Sequence, residues 1–384
     1  MESSSALLLG DRDMAATLYG AGIPVTIVCG RSDHLRYSRY TNGWLQDPHS
    51  DEDALVETLL SHAANSARRP VLYYQTDDAL LFTSRRRKEL SEGFEFVVAE
   101  PDLVERLVDK AAFQELATRL SLPIPPARAI SVTGDESKSV DIAPPLLVKP
   151  FRRQGAWEAA NAGKAVLVMN GRETDDVLTR LRSTHSHVLV QRHIAGPESR
   201  IESYHCYIDS GGVIVGEFAG RKLRTYPTSY GYSTALVTTA AEDVVSLGRE
   251  IVSKLGLVGV AKIDFKRDLE GKLWLLEINP RFNLWHRLGA AAGVNIPALV
   301  FQDLLELPRS NSAASARQGV TYCRMLQDWP AAREEGVGVL NWLRFVGGCE
   351  VRSNIDLHDL PALLKAKVLI PTSDRFRETF RTGL

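Results

Sequence analysis

The stretch VGVAKIDFKRDLEGKLWLLEINPR, from Val258 to Arg281, predicts two β-strands joined by a tight turn. We expect the first strand at 258–266, the second at 272–279, and the turn at 268–271. Gly271 ends this turn, and glycine readily adopts the positive φ that a tight turn requires. The segment therefore predicts a β-hairpin.

Three polar side chains are expected to meet on one face of this hairpin, because residues alternate between the two faces of a strand. Asp264 on the first strand and Glu277 and Asn279 on the second are expected to converge at the end away from the turn. Two carboxylates and an amide oxygen suit Mg²⁺, which completes its octahedron with water and phosphate oxygens. Arg281 follows and can bind a phosphate or a carboxylate with two parallel hydrogen bonds.

An alternative interpretation of these residues is that they are solvated charges at strand ends. The metal site is favoured because Glu277 and Asn279 interrupt the apolar run from Leu273 to Ile278. A carboxylate in apolar surroundings is costly unless it has a partner.

The pattern D-F … L-L-E-I-N-P-R resembles the metal-binding core of the ATP-grasp superfamily. The resemblance implies that Asp264, Glu277 and Asn279 hold the Mg²⁺ or Mn²⁺ ions that bridge the phosphates of ATP. It also implies that Arg281 contacts a phosphate or the carboxylate of the substrate.

Composition is that of an ordinary globular protein of 384 residues, with 44% hydrophobic and 24% charged residues. The net charge of −1 gives no basic excess for a nucleic-acid partner. Four scattered cysteines without C-x-x-C spacing argue against structural zinc and fit a reducing, cytoplasmic location. The first residues lack the basic region of a signal peptide, and no apolar run predicts a membrane span.

The first hundred residues alternate short apolar strands with helices, which predicts a parallel, Rossmann-like layer. No G-x-G-x-x-G follows the first strand, so the sequence does not indicate a dinucleotide site. This unit resembles the preATP-grasp domain, and Asp77 and Asp78 follow a strand where ligands often bind. We interpret the basic run from Arg85 to Lys88 as a solvated helix face.

Two lysines match the phosphate-binding positions of the family. Lys110 lies on a helix expected from Leu103 to Leu120, and Lys149 ends the apolar strand beginning at Leu146. The flap that covers the phosphates in the family would contain Gln154 and Gly155. It has fewer glycines than usual, so either Arg152 and Arg153 replace some backbone contacts or the flap closes only with substrate.

The strand ending near residue 194 resembles the hinge that binds the adenine in the family. The resemblance assigns the adenine and ribose contacts to a short run of residues: Gln191, Arg192, His193, Ile194 and Glu198. On the next strand, Glu202 and His205 are equally compatible with a cross-strand polar pair and with a function. The basic loop after it resembles the substrate loop of amino-acid and peptide ligases, in which Arg221 and Arg224 would hold a carboxylate. A solvated loop is the alternative.

We therefore expect an α/β (α+β) chain with the ATP-grasp fold. The expected parts are a preATP-grasp domain (1–101), an N-terminal lobe with the phosphate flap (102–190), a C-terminal lobe with the metal site (191–310) and an extension packed on the core (311–384). The implied function is an ADP-forming carboxylate–amine ligase that forms an amide bond through an acylphosphate and acts on small molecules such as amino acids or peptides. A homodimer is left open. Biotin-carboxylase-like or carbamoyl-phosphate chemistry and a non-catalytic nucleotide-binding module are the alternatives.

Overall fold

The computed structural model describes residues 4–49, 51–132, 141–151, 165–182, 187–309 and 315–369. It is a mixed α/β structure with three β-sheets. Across these ranges, none of the helices has both the length and the apolar character needed to cross a membrane.

The strands are numbered in chain order. They are β1 (Ala6–Leu9), β2 (Val25–Cys29), β3 (Gly43–Gln46), β4 (Val71–Tyr74), β5 (Ala127–Ser131), β6 (Leu146–Pro150), β7 (Val166–Val168), β8 (His187–Arg192), β9 (Ile201–Ile208), β10 (Ile214–Tyr226), β11 (Tyr232–Thr239), β12 (Gly259–Arg267), β13 (Leu273–Asn279), β14 (Thr321–Arg324) and β15 (Val351–Ser353).

The helices of the described residues follow the same order. They are α1 (Arg12–Tyr19), α2 (Glu52–Ala64), α3 (Asp77–Arg85), α4 (Arg87–Leu90), α5 (Pro101–Val108), α6 (Lys110–Arg119), α7 (Gly171–Leu181), α8 (Glu242–Leu255), α9 (Trp285–Ala291), α10 (Ile296–Leu304), α11 (Met325–Glu334), α12 (Val339–Gly348) and α13 (Leu360–Leu369).

The N-terminal sheet has the strand order β3-β2-β1-β4, and all of its neighbouring strands are parallel. Strands β1 and β4 are buried at every position, because helices cover both faces of a parallel sheet. The predicted Rossmann-like layer is therefore confirmed. Asp11 begins α1 as its N-cap, since its side chain accepts a hydrogen bond from the Met14 amide.

The largest sheet has seven strands in the order β13-β12-β9-β10-β11-β14-β15. It is antiparallel except for the last pair, β14 and β15. Its strands β14 and β15 come from the stretch predicted as a C-terminal extension, so this stretch is part of the central sheet. The predicted domain boundaries themselves stay predictions.

The third sheet is antiparallel, with the order β5-β8-β6-β7, and forms a small hydrophobic cluster of its own with α7. It supplies the strand that ends in Lys149 and the strand that leads into the predicted hinge. This small sheet and the large sheet therefore carry the two halves of the predicted site.

The hairpin predicted from the sequence is present as β12 and β13, each shifted by one residue at its start. Gly271 has a φ of 94° in the turn, as the turn requires. Asp264 pairs directly with Glu277, and Lys262 with Asn279. A bulge after Asp264 changes the register toward the turn but leaves these pairs intact.

Two helical stretches of the chain are each interrupted, and one of them was predicted as a continuous helix. The helix expected from Leu103 to Leu120 is divided into α5 and α6 because Asp109 caps α6, accepting hydrogen bonds from the Ala111 and Ala112 amides. The apolar stretch from Trp285 to Leu304 likewise forms two helices, α9 and α10. There Gly293 has a φ of 103° and Asn295 caps α10.

Candidate active site

Asp264 lies at the centre of a polar patch on the face of the large sheet. Its side chain is 2% exposed, and it contacts the Ser203 hydroxyl and the Lys262 ammonium, whose Nζ lies 2.7 Å from Asp264 Oδ2. Lys222 Nζ lies 4.0 Å from the same oxygen. Two ammonium groups thus offset one buried carboxylate, which leaves an excess of positive charge on this face.

The three predicted metal ligands lie side by side on this face. Glu277 is opposite Asp264 on the neighbouring strand, and the Asn279 amide donates to Glu277 Oε1 at 3.2 Å. Glu277 is exposed, whereas Asp264 is buried. Among the described residues there is no cluster of three or more His, Cys, Asp or Glu side chains placed to hold a metal. The two carboxylates with the amide oxygen nevertheless form the kind of partial, oxygen-only set that Mg²⁺ binds together with phosphates.

Lys149 extends from the small sheet toward the metal strands. Its ammonium donates to Gln191 Oε1 at 2.7 Å. Burial lowers the pKa of Lys149, while the nearby carboxylates of Glu277 and Glu198 act in the opposite direction. The structure therefore brings Lys149 to the cleft between the two sheets, facing the predicted metal ligands.

The side chain of Lys110, the first residue of α6, contacts the end of strand β6, the strand that carries Lys149. Its Nζ donates to the Pro150 carbonyl at 2.5 Å and to the Phe151 carbonyl at 3.0 Å. The side chain thus binds the backbone where β6 ends and the predicted flap begins. Gln154 and Gly155, the predicted flap contacts, lie outside the described residues.

The predicted hinge follows strand β8. The His193 amide donates to the Pro145 carbonyl at 3.0 Å, and Ile194 is buried. Gln191 Nε2 is a buried donor that has no acceptor within the described part of the chain. The Arg192 guanidinium lies over the Trp274 ring, 4.7 Å from its centroid, so its side chain connects β8 to β13.

Glu198 follows the predicted hinge and is paired with a lysine of the large sheet. Lys266 Nζ is 3.1 Å from Glu198 Oε1 and is almost fully buried. Lys266, Lys262 and Asp264 alternate along one strand, so all three share a face. Burial lowers the pKa of His193, and Lys266 lowers it further.

Arg281 connects the metal strands to the N-terminal sheet. Its Nε is 2.5 Å from Asp77 Oδ1, and its Nη1 donates to the Gln75 carbonyl at 2.9 Å. Asp77 and Gln75 lie just after the carboxyl end of β4. Arg281 is therefore placed between the metal ligands and that edge of the N-terminal sheet.

The structure does not bring Arg224 and Arg221 to the metal ligands. Arg224 forms two parallel hydrogen bonds, of 2.9 and 2.7 Å, with Asp328, a fully buried carboxylate. Arg221 is exposed, and its neighbour Lys222 is the residue on the face of Asp264. A register shift at residue 223 places Arg224 on the face opposite to Lys222.

Three lysines of the site were missed by the sequence analysis: Lys222, Lys262 and Lys266. The signal for two of them was present in the run K-I-D-F-K, where the lysines stand two residues on either side of Asp264. Buried lysines in a strand need anionic partners, so this alternation indicates an anion-binding face. Lys222 could not be found in this way, because it comes from a different strand.

A buried ionic network lies where the N-terminal sheet contacts the large sheet. Arg287 pairs with Asp13 and with Asp356, the latter at 2.9 Å. The hydroxyls of Tyr322 and Ser353 donate to Asp13 at 2.6 and 2.7 Å. Burial alone would raise the pKa of Asp13, but Arg287 and these hydroxyls lower it to about 2.

Sequence comparisons relate the chain to ligases. A family model described as "ATP-grasp in the biosynthetic pathway with Ter operon" matches residues 185–327. D-aspartate ligase of Enterococcus faecium is 25% identical over 290 residues, which cover 71% of this chain and 69% of that enzyme. D-alanine–D-alanine ligase of Neisseria gonorrhoeae is 26% identical over 183 residues, and the match spans 45% of this chain and 57% of that ligase.

Solved structures show the same architecture at low sequence identity. An L-amino acid ligase from Bacillus licheniformis superposes with a TM-score of 0.63 at 16% identity, covering 83% of this chain and 78% of that one. The ADP complex of an N5-carboxyaminoimidazole ribonucleotide synthetase gives 0.66 at 13% identity, covering 99% of this chain and 98% of that one. At these identities the likeness concerns the fold alone.

Proposed function

We propose that this chain, an ATP-grasp protein by its family match and its fold, is an ATP-dependent, ADP-forming carboxylate–amine ligase. The observation that carries the proposal is the convergence of Lys149 with Asp264, Glu277 and Asn279 across one cleft, where Lys149 lies within electrostatic reach of Glu277. The sequence relatives are ligases that, by their names, act on D-aspartate or D-alanine. We infer an amino acid or a peptide as the substrate class.

The reaction we propose has two displacement steps. In the first step, a carboxylate oxygen of the acid attacks the γ-phosphorus of ATP, the bond to the β–γ bridging oxygen breaks, and ADP leaves with an acylphosphate formed. In the second step, the amine attacks the acyl carbon, the acyl carbon–oxygen bond breaks, and inorganic phosphate leaves. The amine loses a proton to solvent, and the product is an amide.

Side chains of this chain have three tasks in these steps. Asp264, Glu277 and Asn279 would hold Mg²⁺ or Mn²⁺, which when bound neutralises phosphate charge. Lys149 supplies a compact positive charge for the phosphates from the small sheet. Positioning and charge neutralisation supply most of the catalysis in phosphoryl transfer, so no side-chain nucleophile is required.

Two further lysines lie close to the proposed position of the transferring phosphoryl group, where negative charge develops during the reaction. Lys262 and Lys222 flank Asp264 on the sheet face, and both are buried or nearly so. We propose that these two lysines stabilise the negative charge of the transferring phosphoryl group. Fixed cations in a site shielded from water act more strongly than they would in bulk solvent.

We assign the adenine base of ATP to the predicted hinge, which includes the end of β8 and the residues after it. We propose that the backbone at 191–194 contacts the adenine edge and that Glu198 contacts the ribose hydroxyls. Support comes from the position of this hinge between the small sheet and the large sheet. The free, buried cysteines Cys29, Cys206, Cys323 and Cys349 are consistent with the cytoplasmic location that we propose.

The experiment that tests the function is an ADP-release assay with ATP, Mg²⁺, pooled amino acids as acids and pooled amino acids as amines. We expect ADP release that requires both an acid and an amine, together with a product of the combined mass minus water. Release that requires bicarbonate instead would favour the carboxylase-type alternative. Tight ATP binding without release under any condition would favour a non-catalytic module, and either result would overturn the proposal.

A further inference from the structure

Two of the four cysteines of the chain lie side by side at the edge of the large sheet. Cys323 is in β14, and Cys349 lies between α12 and β15, the last strand of that sheet. Both side chains are buried and belong to one small hydrophobic cluster with Val346. The Cys323 thiol donates a hydrogen bond to the Cys349 sulfur. The proposed ligase reaction uses neither thiol.

A second contact holds Cys349 against β14. The next residue, Glu350, accepts hydrogen bonds from the Thr321 amide at 2.8 Å and from the Thr321 hydroxyl at 2.9 Å. Thr321 and Cys323 are two residues apart in β14 and therefore share a face of the strand. Two cysteines form a disulfide without backbone movement only when their side chains already face each other. The fold thus brings these two sulfurs together in the way that a disulfide requires.

The two thiols differ in acidity. The hydrogen bond from Cys323 lowers the pKa of Cys349, against the effect of burial. The same hydrogen bond, together with burial, raises the pKa of Cys323. Burial also raises the pKa of Cys29, to about 11, and that of Cys206. Because the thiolate is the nucleophile in thiol chemistry, Cys349 is the cysteine that reacts first.

The last turn of α12 covers this pair, because the Cys349 thiol donates to the Phe345 carbonyl at 3.3 Å. All ten residues of this helix are described, and Val346 alone is buried. Leu340 and Leu343 are each more than half exposed. A helix with so few buried side chains opens locally at a low cost in free energy. Local opening of α12 therefore gives a small oxidant access to Cys349.

We propose that Cys323 and Cys349 are a modification site, at which a small-molecule disulfide oxidises the two thiols reversibly to an intramolecular disulfide. The Cys349 thiolate attacks one sulfur of the oxidant, the S–S bond of the oxidant breaks, and one thiolate leaves. Cys323 then loses its proton to solvent and attacks the Cys349 sulfur, and the second thiolate of the oxidant leaves. The two cysteines are oxidised, and the oxidant is reduced to two thiols. The site does not depend on the ligase function.

The disulfide encloses α11 and α12 in one covalent loop, because these two helices lie between Cys323 and Cys349 in the chain. Such a loop restricts the unfolded chain and thereby stabilises the folded one. The same segment contains Asp328, which binds the Arg224 guanidinium and the Trp342 indole. Oxidation thus fixes α12 to the edge of the large sheet. Disulfides of this kind in the cytoplasm are transient and report the redox state.

The test uses the full chain, with oxidised glutathione as the probe. After incubation, the remaining thiols are alkylated in denaturant, and the disulfides are located by mass spectrometry of the peptides. We expect two of the four free thiols to be lost, in a Cys323–Cys349 disulfide that dithiothreitol reverses. Four thiols that stay free, or a disulfide between any other pair, would overturn the inference.

The oxidised chain should also differ from the reduced chain in stability. We expect its Tm to be higher by about 2 to 5 °C, because the covalent loop restricts the unfolded state. Hydrogen exchange of the α12 amides should be slower by about 10-fold, whereas exchange in α8 should not change. An oxidised chain with unchanged exchange in α12 would contradict the proposed fixing of this helix.

Three variants assign the roles of the two thiols. Cys323→Ser should stop at a mixed disulfide of Cys349 with glutathione, because the second attacking thiol is missing. Cys349→Ser should form no mixed disulfide, because Cys323 is the less acidic thiol. Cys206→Ser is the matched control, since it changes a buried cysteine of β9 and should form the disulfide at the wild-type rate. Glutathione on Cys323 in the Cys349 variant would refute the assigned order of attack. The wild-type measurement holds whether or not a variant folds.

Discussion

Asp264 shows how a single residue defines the character of the site. It is buried beside Ser203 and lies within 4.0 Å of both Lys262 and Lys222, so its charge is compensated before any ligand binds. Glu277, its pair on the next strand, is exposed and costs little to keep charged. The two carboxylates therefore differ in what they contribute to folding, although we propose the same metal-binding role for both.

This difference leads to the first prediction, on the metal ligands. Glu277→Gln should abolish ADP formation with little change in Tm, because it removes a proposed metal ligand from an exposed position. Asp264→Asn should abolish ADP formation and also lower Tm, because it leaves two buried ammonium groups without an anion. ADP release and thermal unfolding measure the two effects.

The matched control for these variants is Glu270→Gln, which changes an exposed carboxylate in the turn of the same hairpin. It should leave both turnover and Tm unchanged. Near-normal turnover of Glu277→Gln with the same Mg²⁺ dependence would refute the metal assignment.

The second prediction concerns Lys149. Lys149→Ala should weaken binding of a non-hydrolysable ATP analogue by about 10- to 100-fold, since a charged contact to the phosphates is lost. Lys88→Ala removes an exposed lysine from helix α4, in the N-terminal part of the chain, and should leave the affinity for the ATP analogue unchanged. Titration calorimetry compares the two variants, and equal affinities would exclude Lys149 from the phosphate site.

Residue-level prediction from the sequence was limited where long-range pairing decides the geometry. The metal set was predictable because Asp264, Glu277 and Asn279 lie within one hairpin, whose alternation fixes their faces. The placement of Arg224 was not predictable, because its partner Asp328 is 104 residues away and the register shift at residue 223 is not visible in the sequence. The proposed carboxylate contacts of Arg221 and Arg224 stay predictions.

At the scale of secondary-structure elements, the cleft is made by two sheets that each have their own hydrophobic cluster. The side chains that face each other across it are charged, with Lys149 on the small sheet within electrostatic reach of Glu277 and Glu198. Apolar packing thus stabilises each sheet separately, and the facing surfaces of the cleft between them carry charged side chains. This arrangement suits a highly charged ligand such as a nucleoside triphosphate.

Element boundaries were less predictable than element types. Apolar periodicity predicted one helix over 103–120, because residues on both sides of Asp109 continue the same apolar face. The interruption depends on Asp109, which is extended and bonds two amides of the next turn. A capping residue inside an apolar pattern indicates the start of a new helix, and apolar periodicity alone does not detect it.

The third prediction tests this cap. Asp109→Ala should lower the free energy of unfolding by about 1 kcal/mol, the usual cost of losing an N-cap. It should also weaken ATP binding, because α6 begins with Lys110, whose ammonium binds the backbone at the end of β6. Chemical denaturation and calorimetry measure these effects.

Two further variants serve as controls. Asp109→Asn should retain both properties, because Asn caps helices as well as Asp does. Asp102→Ala removes an exposed carboxylate of α5 that pairs with Arg106 on the helix surface, and it should change stability by about a few tenths of a kcal/mol. Equal loss of stability in the Asp102 and Asp109 variants would contradict the capping role.

At the scale of the whole molecule, the N-terminal sheet and the large sheet are joined by buried polar contacts as well as by apolar packing. Asp13 belongs to the first helix, Arg287 to α9, and Asp356 to the segment after β15. Tyr40, from the N-terminal part of the chain, also donates to Asp356, at 2.8 Å. Sequence patterns predicted the two layers but not this network, because its members lie about 70 to 340 residues apart.

The network implies that stability depends on pH in a defined range. The pKa of Asp13 is lowered to about 2 in the folded protein, against about 3.9 for an unfolded aspartate. The folded state thus holds the proton less tightly than the unfolded state. The contribution of Asp13 to stability is full above pH 4 and is lost as the pH falls from about 4 toward 2.

The fourth prediction follows from removing the cation of this network. In Arg287→Gln, Asp13 stays buried without its guanidinium partner, so its pKa should rise and the protein should lose stability at a higher pH than the wild type. We expect the variant to have a lower Tm at neutral pH as well, because two buried carboxylates, Asp13 and Asp356, lose the same cation. Thermal unfolding measured across a series of pH values from 7 to 3 gives both quantities.

Arg309→Gln provides the matched control for the acid profile. Arg309 also bridges two carboxylates, Asp303 and Asp209, but its own side chain is 38% exposed, so water can replace its contacts. Its variant should keep the acid profile of the wild type with only a small change in Tm. If Arg287→Gln and Arg309→Gln shifted the acid transition equally, the transition would reflect the general charge of the surface. The buried network would then not control the contact between the two sheets.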